Sequence, residues 1–483
     1  MRQILLPFFS LLFITTSVFS QQVVSTTYID SKTKNEITNL FGVPFIQCGA
    51  DYYKIEYTSV DAKGQLDTLS GLLCVPDEPN VTSPVLVYEH GTSACKTCVP
   101  SRYEQTPGGS EGRVGLLFAG MGYATLLPDY VGMGDGRGFQ TYVHDTTIIT
   151  ATEDLLDAFK AWAPNNDINI NDQLFITGYS QGGYGAMAFQ KYMQQTYGQN
   201  SVTAAAHSSG PYSLSGVMRD LILTDSVYSY PAYIPNTMLG INEVYEVYNS
   251  ITEFFKAPFI SDIQKYYDGN IHLSELNQRL IDTLNATTGD AIAHDMIKDN
   301  ILSSIENDSD YSINKILRYN DVFKWKPKSP TRIFYCKADD QVPYMNSVVA
   351  IDTMYSRGAD PNLVKAVDVD STLIHTECVP PAFTSTILFF AGYQDTDLSL
   401  TDFKDNTLEI YPNPVNDKLY IKGNNTKGLK LSIWDMKGEK VVPKQSVKSE
   451  SGMDVSRLEN GMYIVRFESD GGSSKYQKIV VQN

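Results

Sequence analysis

The sequence predicts an α/β fold: a mostly parallel central sheet with a helical cap, followed by a small all-β sandwich. Three observations predict it. Between residues 84 and 370, apolar runs of strand length alternate with helical spacing. Strands covered on both faces read as unbroken apolar runs, so this alternation implies a parallel sheet between helices. From about 216 to 328 the alternation gives way to a polar, Tyr-rich helical stretch. After residue 407 the chain turns to short strands divided by Gly, Asn and Pro.

The chain has 483 residues, which suits two or three units rather than one. It is 42% hydrophobic and 19% charged, a composition that supports a large core and excludes global disorder. The formal net charge of -17 repels phosphate backbones and argues against a nucleic-acid partner.

Residues 1–20 read as an export signal. Arg2 gives the positive start, Ile4 to Phe19 is mostly apolar, and Val18 and Ser20 suit the positions before a cut at Gln21. That run is shorter than the roughly 20 residues a membrane span needs, and no later stretch is long and apolar enough. No stable transmembrane segment is therefore expected once the signal is removed. Six cysteines in an exported chain suggest disulfides, and their spacing suggests Cys48 with Cys74, Cys95 with Cys98, and Cys336 with Cys378. Cys95-x-x-Cys98 lacks the second Cys/His pair of a zinc site. No metal and no cofactor are expected.

Residues 50–76 form an expected hairpin, with "DAKGQ" as its turn. "PVLVYEH" (84–90) and "GYATLLPDY" (122–130) are expected buried strands, and "TTIITATEDLLDAFKAW" (146–162) is an expected helix. "DQLFITG" is a third buried strand, followed by a helix over "GGYGAMAFQKYMQQTYG". "SVTAAAHSS" (201–209), "TRIFYCKA" (331–338) and "NLVKAVDVD" (362–370) are later strands. "VGMGDGRG" (131–138) lacks the helix and acidic residue of a nucleotide-binding loop and reads as a turn. "DTDLSLTDFKDNT" (395–407) is acidic and polar, and reads as a linker.

The G-x-S-x-G pattern occurs twice, as Gly178-Tyr179-Ser180-Gln181-Gly182 and as Gly108-Gly109-Ser110-Glu111-Gly112. A nucleophilic serine of this type needs a strained turn between a buried strand and a helix. Ser180 has Leu174-Phe175-Ile176 before it and a helical pattern after it. Ser110 follows the loop "EQTPGG" and only opens a helix. Ser180 is the expected nucleophile.

A serine hydroxyl near neutral pH needs a base, and the base needs an orienting acid. His375, in "STLIHTECVPPAF", follows the last expected strand. "YCKADDQVPY" offers Asp339 and the adjacent Asp340. The order Ser, Asp, His suits this architecture. Backbone N–H groups of Gln181 and of Gly91-Thr92 are the expected oxyanion donors. His90 is expected to hold its loop, and His207, at a strand end, to line the pocket. His144, His272 and His294 are expected at the surface or satisfied in the core.

"YEHGT", "LLPDYVGMGDG", "GYSQGG", "ADDQVP" and the late His followed by "CVPPA" together resemble secreted α/β-hydrolases of the secretory-lipase and lipase A-type group. The resemblance covers about residues 40–394. It implies Asp339 as the acid, from its D-x-x-V-P type position, with Asp340 as an adjacent rival. "YPNPVNDKLYI", "LSIWDMKGEKV", "DVSRLENGMYIVRF" and the final "KIVVQN" resemble a type A C-terminal sorting domain of the type IX secretion system. That implies export through the secretion machinery, to the medium or the outer cell surface.

The expected organisation is a signal (1–20), an α/β-hydrolase domain (21–394, cap about 216–328), a linker (395–407) and a sorting β-sandwich (408–483). The expected activity is that of a secreted serine carboxylic-ester hydrolase, an esterase or lipase acting on an ester substrate through an acyl-enzyme. Alternatives are a polysaccharide acetyl or feruloyl esterase, a serine peptidase, for which no propeller repeats are present, and a non-catalytic binding module of the same fold.

Overall fold

The computed structural model describes residues 22–43, 46–78, 82–103, 111–395, 409–422, 429–435, 440–446, 452–468 and 474–481. The expected leader, Ser110 and all of the expected linker except Asp395 lie outside them.

A nine-stranded sheet runs in the order β1-β2-β3-β5-β4-β6-β7-β8-β9. Three antiparallel strands open it: β1 (Val23–Lys32), β2 (Ala50–Val60) and β3 (Leu66–Pro76). The parallel strands are β4 (Thr82–Glu89), β5 (Ala124–Pro128), β6 (Asn169–Tyr179), β7 (Ala204–Ser208), β8 (Thr331–Tyr335) and β9 (Val364–Asp368). β5 also pairs antiparallel with β3, joining the two parts. All of β5 and β7 is buried, whereas β2 alternates buried and half-buried residues. This is the contrast expected between strands covered on both faces and a strand near a sheet edge.

Helices α1 (Lys34–Phe41) and α2 (Gly112–Ala119) pack on one face, and α3 (Asp145–Trp162) and α4 (Gln181–Thr196) on the other. α1 starts at a capping box in which the Thr33 hydroxyl accepts from Glu36 N and the Glu36 carboxylate accepts from Thr33 N. Between β7 and β8 the chain is helical: α5 (Arg219–Ile222), α6 (Tyr233–Tyr245), α7 (Ala257–Tyr267), α8 (Leu273–Thr288), α9 (Asp299–Asn307) and α10 (Ser312–Tyr319). These helices share one apolar core with Ile148 of α3, Tyr184 of α4 and Ile333 of β8. α11 (Met345–Ser356) and α12 (Val379–Ala391) follow β8 and β9.

Two cysteine pairs are bonded, Cys95–Cys98 and Cys336–Cys378. The expected Cys48–Cys74 pair is not: both are buried thiols. The strand register explains this. Cys74 lies opposite Tyr52 on β2, while Cys48 precedes that strand and turns its Sγ toward the Ala119 and Gly120 carbonyls, at 3.4 and 3.7 Å. Burial pushes the Cys48 thiol up to about 12, so it stays protonated and unreactive.

Cys336–Cys378 closes a loop with a sequence separation of 42. Removing a cross-link of that span costs about 4 kcal/mol through the entropy of the unfolded chain. The double variant Cys336→Ser/Cys378→Ser should lose about that much stability in urea unfolding relative to the oxidised protein. An unchanged midpoint would mean that the cross-link does not restrain the unfolded chain.

The C-terminal part is a separate pair of sheets. One holds β10 (Glu409–Tyr411), β11 (Lys418–Lys422) and β14 (Met453–Asp454). The other holds β12 (Lys430–Trp434), β13 (Lys440–Ser446), β15 (Gly461–Glu468) and β16 (Ser474–Val481). Leu419, Ile421, Leu431, Ile433, Val465 and Ile479 fill the space between them.

Candidate active site

The chain runs from β4 outward to β5 and then back across β4 to β6. A crevice outside the carboxyl ends of the strands at such a reversal is where open α/β sheets hold ligands. Here the segments after β4, β6, β8 and β9 converge, bringing His90–Thr92, Ser180, Asp339–Val342 and His375 to one end of the sheet.

Ser180 sits between β6 and α4 with φ 58° and ψ -124°. This is left-handed backbone that L-residues avoid, and the surrounding packing enforces it. A Cβ on Gly182 would come within 1.9 Å of the Glu89 carbonyl oxygen, and one on Gly178 within 2.3 Å of the Gly182 carbonyl. The glycines are therefore there for close backbone approach. Ser180 N donates to the Ser208 carbonyl at 2.9 Å, tying the turn to β7.

Ser180 Oγ lies 2.9 Å from His375 Nε2, and His375 Nδ1 lies 2.8 Å from Asp339 Oδ2. A carboxylate can only accept, which places the ring proton on Nδ1 and leaves Nε2 to accept from the serine. Asp339 Oδ1 accepts from Gln341 N at 3.1 Å and Val342 N at 2.8 Å. Asp340 faces elsewhere: its Oδ1 accepts from the His375 backbone N–H at 3.1 Å. The Tyr179 hydroxyl donates to the His375 carbonyl at 2.6 Å. Ser180 and His375 are both buried.

Gln181 is the first residue of α4, so its N–H belongs to the positive end of the helix. Gly91 lies beside the turn, since a Cβ on it would sit 3.6 Å from the Tyr179 carbonyl oxygen. The Thr92 hydroxyl lies 3.2 Å from the Tyr142 hydroxyl. His90 stacks on Tyr130 at 4.1 Å, and its Nδ1–H donates to the Gly91 carbonyl at 2.7 Å. Burial lowers its pKa and keeps it neutral.

His207 does not line the pocket. It is fully buried on β7, with Nε2 2.7 Å from Gln190 Oε1, and burial pushes its pKa down to about 3. His144 is a satisfied core residue, placed between Thr147 and the Tyr245 hydroxyl. The Cys95 and Cys98 sulfurs lie within 4.8 Å of a His272 ring nitrogen, and the disulfide bonds the two sulfurs to each other.

Glu89, under the serine turn, was not singled out by sequence. It ends β4, is fully buried, and its Oε1 accepts from the Thr152 hydroxyl at 2.7 Å. Burial outweighs that hydrogen bond and raises its pKa from 4.5 to about 8. Between those two values the folded chain holds a proton that the unfolded chain releases. Stability therefore falls as pH rises through this window. Glu89→Gln should stabilise the protein at pH 8 relative to wild type and do so less at pH 5, read as thermal midpoints. Parallel midpoint curves for the two proteins would show that Glu89 does not hold that proton.

A cavity opens beside Ser180. Its wall is mostly apolar, with Leu214 and Met218 from the segment after β7, Leu221, Ile234 and Met238 from the helices that follow, and Val342 from the loop that holds Asp339.

The nine-stranded sheet, the strand–serine–helix turn and the helical cap define an α/β-hydrolase fold. The chain is similar to a candidate hydrolase of Legionella pneumophila, with a TM-score of 0.68, 22% identity, and 77% of this chain and 98% of that chain covered. It is also similar to the rice cell wall degrading esterase LipA of Xanthomonas oryzae, with a TM-score of 0.64, 21% identity and coverage of 77% and 96%. The closed state of Candida antarctica lipase A gives a TM-score of 0.54, 15% identity and coverage of 77% and 83%. At these identities the likeness establishes the fold. No curated protein sequence matches the chain. Residues 409–482 match the secretion system C-terminal sorting domain. The protein is therefore a type IX secretion substrate, extracellular or attached to the outer surface. Among the described residues, no helix is long and apolar enough to cross a membrane.

Proposed function

We propose that this protein is a serine carboxylic-ester hydrolase acting on esters of aliphatic acids. The observation that carries this reading is the hydrogen-bonded series Ser180, His375, Asp339 at the wall of an apolar cavity. Ser180 Oγ attacks the ester carbonyl as His375 Nε2 takes its proton, and Asp339 stabilises the resulting imidazolium. N–H groups of Gln181 and the Gly91–Thr92 loop would stabilise the oxyanion. His375 then protonates the leaving alcohol. Water, activated by the same histidine, releases the acid and restores Ser180. A fluorophosphonate probe should label Ser180 in the native protein, with peptide mapping as the readout. An unlabelled, folded protein would favour a binding module instead.

The cavity wall favours an acyl chain over a sugar as its occupant. Each buried methylene stabilises binding by about 0.8 kcal/mol. Met218→Trp should fill part of the space and lower the octanoyl-to-acetyl ratio of kcat/KM by about tenfold. An unchanged ratio would place the acyl chain elsewhere. The likeness to a cell wall degrading esterase motivates a second reading, removal of acetyl or feruloyl groups from polysaccharides. Preference for acetylated or feruloylated glycans over simple octanoyl esters would favour it.

A further inference from the structure

We propose that the cap segment Tyr228–Tyr233 is a positioning element for the triad acid, acting through a hydrogen bond from Tyr233 to Gln341. The inference rests on the esterase reading above. Three side chains of this segment bond to the loop that carries the acid. The Tyr228 hydroxyl donates to the Gln341 carbonyl at 2.8 Å. The Ser229 hydroxyl donates to the Asp340 carbonyl at 2.8 Å. The Tyr233 hydroxyl donates to Gln341 Oε1 at 2.9 Å. Gln341 in turn directs its own N–H, together with that of Val342, onto Asp339 Oδ1. Those two bonds fix one carboxylate oxygen and leave the other for His375.

The same tyrosine reaches the opposite side of the site. Its ring stacks on Tyr142 at 6.1 Å between centroids and 25° between planes, and on Tyr230 at 4.2 Å. The Tyr142 hydroxyl meets Thr92 in the loop after β4. One aromatic stack thus spans the cavity from the expected oxyanion loop to the acid loop, with Tyr142, Tyr228 and Tyr233 all lining it beside Ser180. Burial raises the pKa of Tyr228 and Tyr233 well above the usual phenol value, so both hydroxyls remain donors. Cap and triad are consequently one hydrogen-bonded unit. A misplacement of about 1 Å far from the reacting atoms can cost about a hundredfold in rate.

The test uses Tyr233→Phe, which keeps the ring, and Gln341→Ala in the full chain. An acetyl ester serves as substrate because its acyl group is too short to depend on the cavity wall. Each single variant should lower kcat by about tenfold with KM within about twofold, and the double variant should be no slower than either single one. Proton NMR supplies a readout that needs no turnover: the low-field Nδ1 proton of His375 should move upfield in both variants. Tyr228→Phe, which removes the bond to the Gln341 carbonyl, provides a further variant should Gln341→Ala not fold. Unchanged kcat, a loss carried by KM, multiplicative losses or an unmoved His375 resonance would each overturn the proposal. Failure of the esterase reading shows differently, as a wild-type protein without turnover whose His375 proton still responds to Tyr233→Phe.

Discussion

Ser180→Ala should lower kcat for a chromogenic short-chain ester by about ten thousandfold or more, while the protein stays folded. The substitution deletes only Oγ, the atom that His375 faces at 2.9 Å. Alanine tolerates the positive φ no worse than serine does, so the strained turn is retained at similar cost. Donors at the start of α4 remain and should leave a small residual rate above that of water. Steady-state kinetics and circular dichroism on the same sample make the check. Full activity in a folded Ser180→Ala protein would end the serine mechanism, whatever the fold.

Asp339→Asn should lower kcat by about ten thousandfold, and Asp340→Asn by tenfold or less. The two side chains are neighbours in sequence with different duties. Asp339 faces the imidazole, and an amide there would present an N–H₂ group to His375 or stabilise the wrong tautomer. Asp340 accepts from a backbone N–H, which an asparagine oxygen can also do. Kinetics of the two variants side by side decide the assignment. Equal losses would mean that the acid role is shared, and a larger loss at Asp340 would reverse it.

What the sequence disclosed follows from how local each signal is. The serine turn was readable because its strand, glycines and helix are contiguous over Leu174–Gly183. His375 was readable from its place after the last strand. The preference for Asp339 over Asp340 comes from the D-x-x-V-P resemblance alone, because locally it depends on which carboxylate the N–H groups of Gln341 and Val342 capture. β1 and α1 were not anticipated, although Thr33-x-x-Glu36 and Gly42 are ordinary helix-start and helix-stop signals. The Cys48–Cys74 pairing rests on their spacing about the expected hairpin, and the β2–β3 register overrules it. The bond between Tyr233 and Gln341 joins residues 108 positions apart and leaves no local trace in the chain.

The strand order has a temporal side. Ser180 follows β6 near the middle of the sheet, whereas Asp339 and His375 follow β8 and β9, the last two strands at one margin. His375 lies 195 positions after Ser180, and the helices between β7 and β8 are all synthesised between Ser180 and Asp339. A ribosome therefore makes the turn that strains the serine long before it makes either partner. Domains generally fold as units, and β1 to β9 belong to one sheet. A nascent chain that has reached β7 therefore carries Ser180 without Asp339 or His375, and in the proposed mechanism general-base activation waits until β9 and the loop after it have been laid down.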